Sequence, residues 1–152
     1  MKIIPLANSG ETMVDDEDYE NLSQWTWRRT SAGYAARNSW GPNGKYGKIY
    51  MHRFIMDAPK GMCVDHINRG GLDNRRCNLR ICTYSENGRN RVASKSNKTG
   101  FKGVCQREGR YQAYIKLHGK AYTLGSYATP ELALAARAEA SLRLHGEFAR
   151  IH

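Results

Sequence analysis

The chain has 152 residues, 24 Lys plus Arg against 14 Asp plus Glu, a formal net charge of +10 and a hydrophobic fraction of 40%. That size suits one compact domain or two small ones. No apolar stretch approaches the ~20 residues of a membrane span, and the opening Met1-Lys2-Ile3-Ile4-Pro5-Leu6-Ala7 is shorter than the roughly 7 to 15 residue apolar core of an export signal, which argues against membrane insertion and secretion.

In chain order, Val14 to Leu22 reads as a short helix started by acids near its positive end. Its acids are expected to be structural. Trp25 to Arg29 and Gly33 to Arg37 read as strands around a turn, and Gly41-Pro42-Asn43-Gly44 forms a turn before Lys48 to Met56, giving a small β-rich lead-in. Met62 to Ile67 and Leu79 to Cys82 are short strands, and Thr83-x-x-Glu86 is a capping box that starts a helix at Thr83 and puts Asn87 on its second turn. The small, polar, basic stretch 93–99 reads as a linker able to track a phosphate backbone, with Lys98 in it. Three strands follow at Phe101 to Gln106, Arg110 to Leu117 and Lys120 to Tyr127, with turns at Arg107-Glu108-Gly109 and His118-Gly119. A final helix has Thr129 as its cap, Pro130 at its first position and Gly146 as its stop. The expected fold class is α+β: a small β-β-α unit with its β-rich lead-in over 1–92, then a three-stranded antiparallel sheet packed on one helix over 100–152.

Charge is distributed unevenly along these elements. Residues 1–25 hold one lysine and six acids, which leaves 23 cations and eight acids for the remainder. From Arg89 to Lys120 there are nine cations and one acid, interleaved with Phe101, Tyr111 and Tyr114. Cations mixed with aromatics favour nucleic acid over a lipid surface. The four cysteines at 63, 77, 82 and 105 include no CxxC pair and match no common zinc spacing, so they are expected to be reduced, intracellular, buried small side chains, with no zinc bound.

The most informative run is Asp65-His66, twelve positions to Asn78 and nine more to Asn87. A carboxylate from Asp65 and an amide oxygen from Asn87 are hard ligands that suit Mg²⁺, or Mn²⁺, better than Zn²⁺. His66, not engaged by the metal, can take a proton from water near neutral pH. Asn78 offers both donor and acceptor for holding the loop or the imidazole in place. Neighbouring residues on a regular strand point to opposite faces, so a shared site requires the strand to end, bulge or twist at Asp65-His66.

With His52-Arg53-Phe54-Ile55-Met56, Val64-Asp65-His66, Asn78-Leu79-Arg80 and Ser85-Glu86-Asn87, this run resembles the HNH endonucleases of the phage and intron homing type, which carry a ββα-metal site. The resemblance implies Asp65 and Asn87 as metal ligands, His66 as general base and Asn78 as a positioning residue. The third motif letter is Asn87 here rather than His.

Along the middle C-terminal strand, Tyr111, Ala113, Ile115 and Leu117 share one face and Arg110, Gln112, Tyr114 and Lys116 the other. The first face can bury against the helix, and the second can meet base edges and phosphates in a major groove. From Thr99-Gly100-Phe101-Lys102-Gly103-Val104 through Leu144-His145-Gly146-Glu147-Phe148-Ala149, the chain is similar to an AP2/ERF-type DNA-binding domain. That resemblance implies DNA contacts at Lys102, Gln106, Arg107, Arg110, Gln112, Tyr114, Lys116, Lys120 and Tyr122. Arg75, Arg76 and Arg80, near the proposed nuclease site, are expected to hold flanking phosphates, with solvated loop arginines as the alternative. The sequence as a whole points to a cytoplasmic, Mg²⁺-dependent, homing-type DNA endonuclease that acts as a monomer on double-stranded DNA and nicks one strand, with no membrane or small-molecule partner. Its rivals are a duplex-binding regulator without catalysis and an RNA-binding accessory protein.

Overall fold

The computed structural model describes residues 1–41, 44–90, 97–117 and 119–149, so the turn residues Pro42 and Asn43, linker residues 93–96 and His118 lie outside the described residues. The chain divides into two compact units, Met1–Tyr84 and Ser85–His152.

The first unit opens with an antiparallel hairpin of β1 (Lys2–Pro5) and β2 (Glu11–Val14), which the sequence reading did not anticipate. Helix α1 (Asp16–Ser23) follows, two residues later than Val14, with Asp16, Glu17 and Asp18 in its first turn. Strands β3 (Arg28–Arg29), β4 (Ala35–Trp40) and β5 (Tyr46–Tyr50) form a three-stranded antiparallel sheet in the order β3-β4-β5. Of the expected strand at Trp25 to Arg29, only Arg28–Arg29 enters the ladder. Trp27 instead sinks into the core at 1% exposure and donates its indole N–H to the Leu22 carbonyl at 2.8 Å.

The run from Lys48 to Met56 is not all β. Strand β5 gives way at once to the short helix α2 (Met51–Ile55), whose N-cap Tyr50 has an extended backbone and makes no side-chain cap bond. Arg53 leaves α2 to donate to the carbonyls of Met62, Ala58 and Pro59 at 2.6, 3.0 and 3.3 Å, tying down the loop that leads into β6 (Cys63–His66). β6 pairs antiparallel with β7 (Leu79–Cys82), and a 3₁₀ turn over Arg76–Asn78 precedes β7. The loop between them docks on β2: Met13 N–H donates to Leu72 O at 2.9 Å and Asn74 N–H to Met13 O at 2.8 Å. Ile4, Leu6, Val14, Leu22, Trp27, Ala35, Met51, Ile55, Val64 and Leu79 form the apolar core beneath these pieces.

Helix α3 (Tyr84–Asn90), starting one residue after Thr83, leads into the second unit. Strands β8 (Val104–Arg107), β9 (Arg110–Leu117) and β10 (Lys120–Tyr127) then form an antiparallel sheet in the order β10-β9-β8. The first of these starts later than Phe101, because Gly100 and Gly103 turn the chain with φ of +73° and +75°. A Cβ at Gly103 would lie 2.6 Å from the Tyr114 carbonyl oxygen, so only glycine fits there. Helix α4 (Pro130–His145) is capped by Thr129, which accepts from Leu132 N–H at 3.3 Å, and stops at Gly146 with φ of +50°. Val104, Ala113 and Ala133 are buried together, with Phe101, Tyr111, Leu124, Tyr127 and Leu134 packed around them. No helix among the described residues is long and apolar enough to cross a membrane.

Candidate active site

The β6–β7 hairpin positions the motif residues of the first unit. Asp65 is 6% exposed and lies directly opposite Arg80 in the register, and Arg80 donates to Asp65 Oδ2 from Nη2 at 2.7 Å and from Nε at 3.0 Å. His66 is the last residue of β6, register partner of Leu79, so the strand ends there. Its ring packs 5.0 Å from His52 and 5.6 Å from Tyr34, centroid to centroid, and Tyr34 lies 5.2 Å from His52. At the strand end Asp65 thus meets Arg80 and His66 meets an aromatic cluster.

A hydrogen-bond chain fixes the imidazole. His66 Nε2 is 3.3 Å from Asn74 Oδ1, Asn74 Nδ2 donates to Thr12 Oγ1 at 2.7 Å, and Thr12 Oγ1 donates to the Leu72 carbonyl at 2.8 Å. Thr12 has one hydroxyl proton and gives it to Leu72, so it must accept from the Asn74 amide N–H, which turns Asn74 Oδ1 toward His66. An amide oxygen can only accept. The neutral imidazole therefore carries its proton on Nε2 and its lone pair on Nδ1.

Burial pushes the His66 pKa below its ordinary value of 6.5, opposed by the Asn74 hydrogen bond and by the charges of Asp65 and Asp73. The ring is consequently neutral, and able to accept a proton, at pH 7. His52 is pushed further, to about 4, first by burial and then by His66 and Arg53.

Asn78 stitches the loop between the strands. It is 6% exposed, accepts from the Asn68 N–H at 3.0 Å, and donates to Asn68 Oδ1 at 3.0 Å and to the Asp73 carbonyl at 2.8 Å. Its amide holds loop backbone and does not reach the imidazole. Asn87 sits half-buried on α3, in the second unit.

Three arginines of the first unit, Arg75, Arg76 and Arg80, are committed to carboxylates. Arg75 forms two bonds of 2.7 Å with Asp73, which hold that carboxyl below its usual range. Arg76 pairs with Asp18 at 2.7 Å and Glu17 at 2.9 Å, while Asp15 accepts from the Arg76 N–H at 2.7 Å. The acidic run of α1 therefore anchors the 3₁₀ turn before β7. Arg80 holds Asp65, as above.

The expected DNA contacts of the second unit divide between faces. Cross-strand partners share a face, so Arg107, Arg110, Gln112, Tyr114 and Lys116 lie together on the outer side of the β8-β9-β10 sheet. Gln106 opposes Tyr111, Lys120 opposes Leu117 and Tyr122 opposes Ile115, which puts these three on the side of the buried Ala113 and Ile115. Lys102 donates to the Gly88 and Arg89 carbonyls at 2.7 and 2.8 Å, neutralising the end of α3. Lys98 is exposed.

Among the described residues, no three His, Cys, Asp or Glu side chains gather as a metal-binding group. The donors singled out by the sequence are one carboxylate and one amide oxygen, which matches a hard cation that keeps waters in its shell. The cysteines do not all behave as core residues: Cys82 is buried, but Cys77 is exposed. The residues missed by sequence reasoning are Asn74, Thr12, His52 and Tyr34, which reach His66 or its partner only through the fold.

The family model described as HNH endonuclease matches residues 57–89. The chain is 28% identical over 137 residues to an uncharacterized HNH endonuclease of Acanthamoeba polyphaga mimivirus, covering 86% of this chain and 72% of that protein. It is 33% identical over 94 residues to Protein 3.8 of Escherichia phage T7, covering 60% of this chain and 77% of that protein. No solved structure matches the chain significantly.

Proposed function

The chain belongs to the HNH endonuclease family and is a nuclease, and from that premise we propose that it is a homing-type DNA endonuclease that hydrolyses one strand of duplex DNA with His66 as general base. The observation that carries this reading is the neutral, hydrogen-bonded imidazole of His66 on the β6–β7 hairpin, within the matched residues 57–89. HNH nucleases generally use a divalent metal ion. Here Asp65 and Asn87 are the proposed ligands, both within the matched stretch, and the ion is Mg²⁺ or Mn²⁺. When bound, it polarises the scissile phosphate and neutralises charge on the leaving 3′ oxygen.

His66 Nδ1 takes a proton from water as the water oxygen attacks phosphorus. The bond from phosphorus to the 3′ oxygen breaks, leaving a 5′ phosphate and a 3′ oxygen that takes a proton from solvent water to become the hydroxyl. Arg80 orients the Asp65 carboxylate, and Asn78 holds the loop that carries Asp73 and Asn74 behind the imidazole. The second unit supplies affinity and register through an AP2/ERF-like sheet, with Arg107, Arg110, Gln112, Tyr114 and Lys116 facing the duplex and Lys98 on the backbone. Gln106, Lys120 and Tyr122, on the other side of the sheet, meet DNA at its edge.

Conversion of supercoiled plasmid to the nicked form, with Mg²⁺ or with EDTA, tests this. Cutting with Mg²⁺ that is lost in EDTA and in Asp65→Asn is expected. Tight duplex binding with no cutting under any divalent cation would favour the non-catalytic regulator instead.

A further inference from the structure

The β3-β4-β5 sheet has two unlike faces. Arg28, Ala36 and Tyr50 are register partners, as are Asn38 with Lys48 and Trp40 with Tyr46, so these residues share one side. The opposite side turns to the core at Ala35, which is fully buried, and at Ile49, which packs on the apolar cluster. On the first side Arg28, Asn38, Trp40, Tyr46 and Lys48 are all exposed, Trp40 at 74% and Tyr46 at 55%.

This exposed aromatic pair is organised. The two rings meet edge to face with centroids 5.6 Å apart, and the Tyr46 hydroxyl donates to Asn38 Oδ1 at 2.5 Å. Two large rings fixed in water, away from any core, mark a surface that something covers. Its electrostatics name the chemistry of the partner: residues 26–56 contain six cations and no acid. Among the described residues Arg28, Lys45 and Lys48 form no ion pair. The face also runs into the active site, because Tyr50 lies 5.6 Å from His52 and 6.2 Å from Tyr34, and both of those rings touch His66.

We propose that this face is a second duplex-DNA contact surface, contiguous with the active site and distinct from the C-terminal sheet. Arg28 and Lys48 meet backbone phosphates, and the Trp40–Tyr46 pair lies against sugar and base surface at the far end. The four residue steps from Tyr50 to Tyr46 span about 13 Å at ~3.3 Å per residue, which corresponds to roughly four base pairs of duplex. The proposal rests on the nuclease reading, which supplies duplex DNA as the substrate.

The test is a tryptophan-fluorescence titration of the whole chain with short duplex DNA in EDTA, so that binding is read without cleavage. The parent is expected to lose fluorescence on binding, and Trp40→Phe to lose that response while still binding. Trp40→Ala is expected to weaken affinity about tenfold, within the range for loss of one aromatic contact to nucleic acid. Arg28→Ala and Lys48→Ala are each expected to lower the log-log salt slope by about 0.9. A parent that binds DNA with a response unchanged in Trp40→Phe, and with unchanged affinity in Trp40→Ala, overturns this surface and leaves the nuclease reading standing. No duplex binding by the parent overturns both. A Trp40 response to anionic phosphatidylserine vesicles and none to DNA would replace DNA with a lipid surface and overturn the proposal.

Discussion

Thr12 and His66 are separated by 54 positions in the chain and joined by one asparagine side chain. Thr12→Val keeps the shape and removes the hydroxyl, so the Asn74 amide N–H loses its acceptor in a fully buried position. Stability should fall by about 1–3 kcal/mol, the cost of an orphaned buried donor. The amide is then no longer held with its oxygen toward His66. Long-range ¹⁵N–¹H correlations should show pure Nε2–H imidazole in the parent and a tautomer mixture in Thr12→Val, with kcat for cleavage reduced about tenfold. An unchanged tautomer with unchanged kcat would remove Thr12 and Asn74 from the positioning of the base.

His52 makes the protein acid-sensitive in a defined window. Its folded pKa of about 4 lies below the ordinary 6.5, so between those values the unfolded chain binds a proton that the folded chain refuses. The contribution is fully present above pH 6.5 and declines as pH falls toward 4, by about 3 kcal/mol in all. Urea titrations across this range should show the decline in the parent and a flatter profile in His52→Phe. At this scale the sequence was partly legible. The spacing of Asp65, His66, Asn78 and Asn87 singled out those residues, because motif spacing is a property of the chain. Asn74, Thr12 and Tyr34 carried no such signal, because their link to His66 exists only once β2 docks on the loop before β7.

Among the elements, that docked loop is closely packed at Gly71. A Cβ at Gly71 would lie 2.6 Å from the Gly33 carbonyl oxygen and 2.8 Å from the Tyr34 ring. Gly71→Ala must push the loop off Tyr34, costing about 1–3 kcal/mol and loosening the ring that packs on His66. Thermal melting of Gly71→Ala against the parent checks this; an unchanged midpoint would mean that the loop moves freely there. Elements with strong local signals were readable: β9 and β10 from alternation and tight turns, and α4 from Thr129, Pro130 and Gly146. Helix α2 was not. It follows β5 with no Ser, Thr, Asp, Asn or Pro at its start, and in an apolar run a strand and a buried helix look alike. The β1–β2 hairpin escaped notice for a related reason, since its strands are four residues long and β2 gains partners from residues 72–74.

For the whole molecule, the net charge of +10 is only in part available to DNA. Arg75, Arg76 and Arg80 are held by Asp73, Asp18 with Glu17, and Asp65. The cations left for phosphates are mainly those on the outer sheet face of the second unit and, by the inference above, on the β3-β4-β5 face. If about six phosphates are neutralised, the log-log dependence of duplex affinity on salt should have a slope of about −5. A slope near zero would mean that these cations only solvate the surface.

The most direct measurement is plasmid nicking in Mg²⁺ by the parent and by His66→Ala, with duplex binding measured on both. The account predicts that the parent converts supercoiled to nicked DNA, and that His66→Ala binds with parental affinity but cuts at least about a hundredfold more slowly, the lower range for loss of a general base. Cutting by His66→Ala at the parental rate would contradict it.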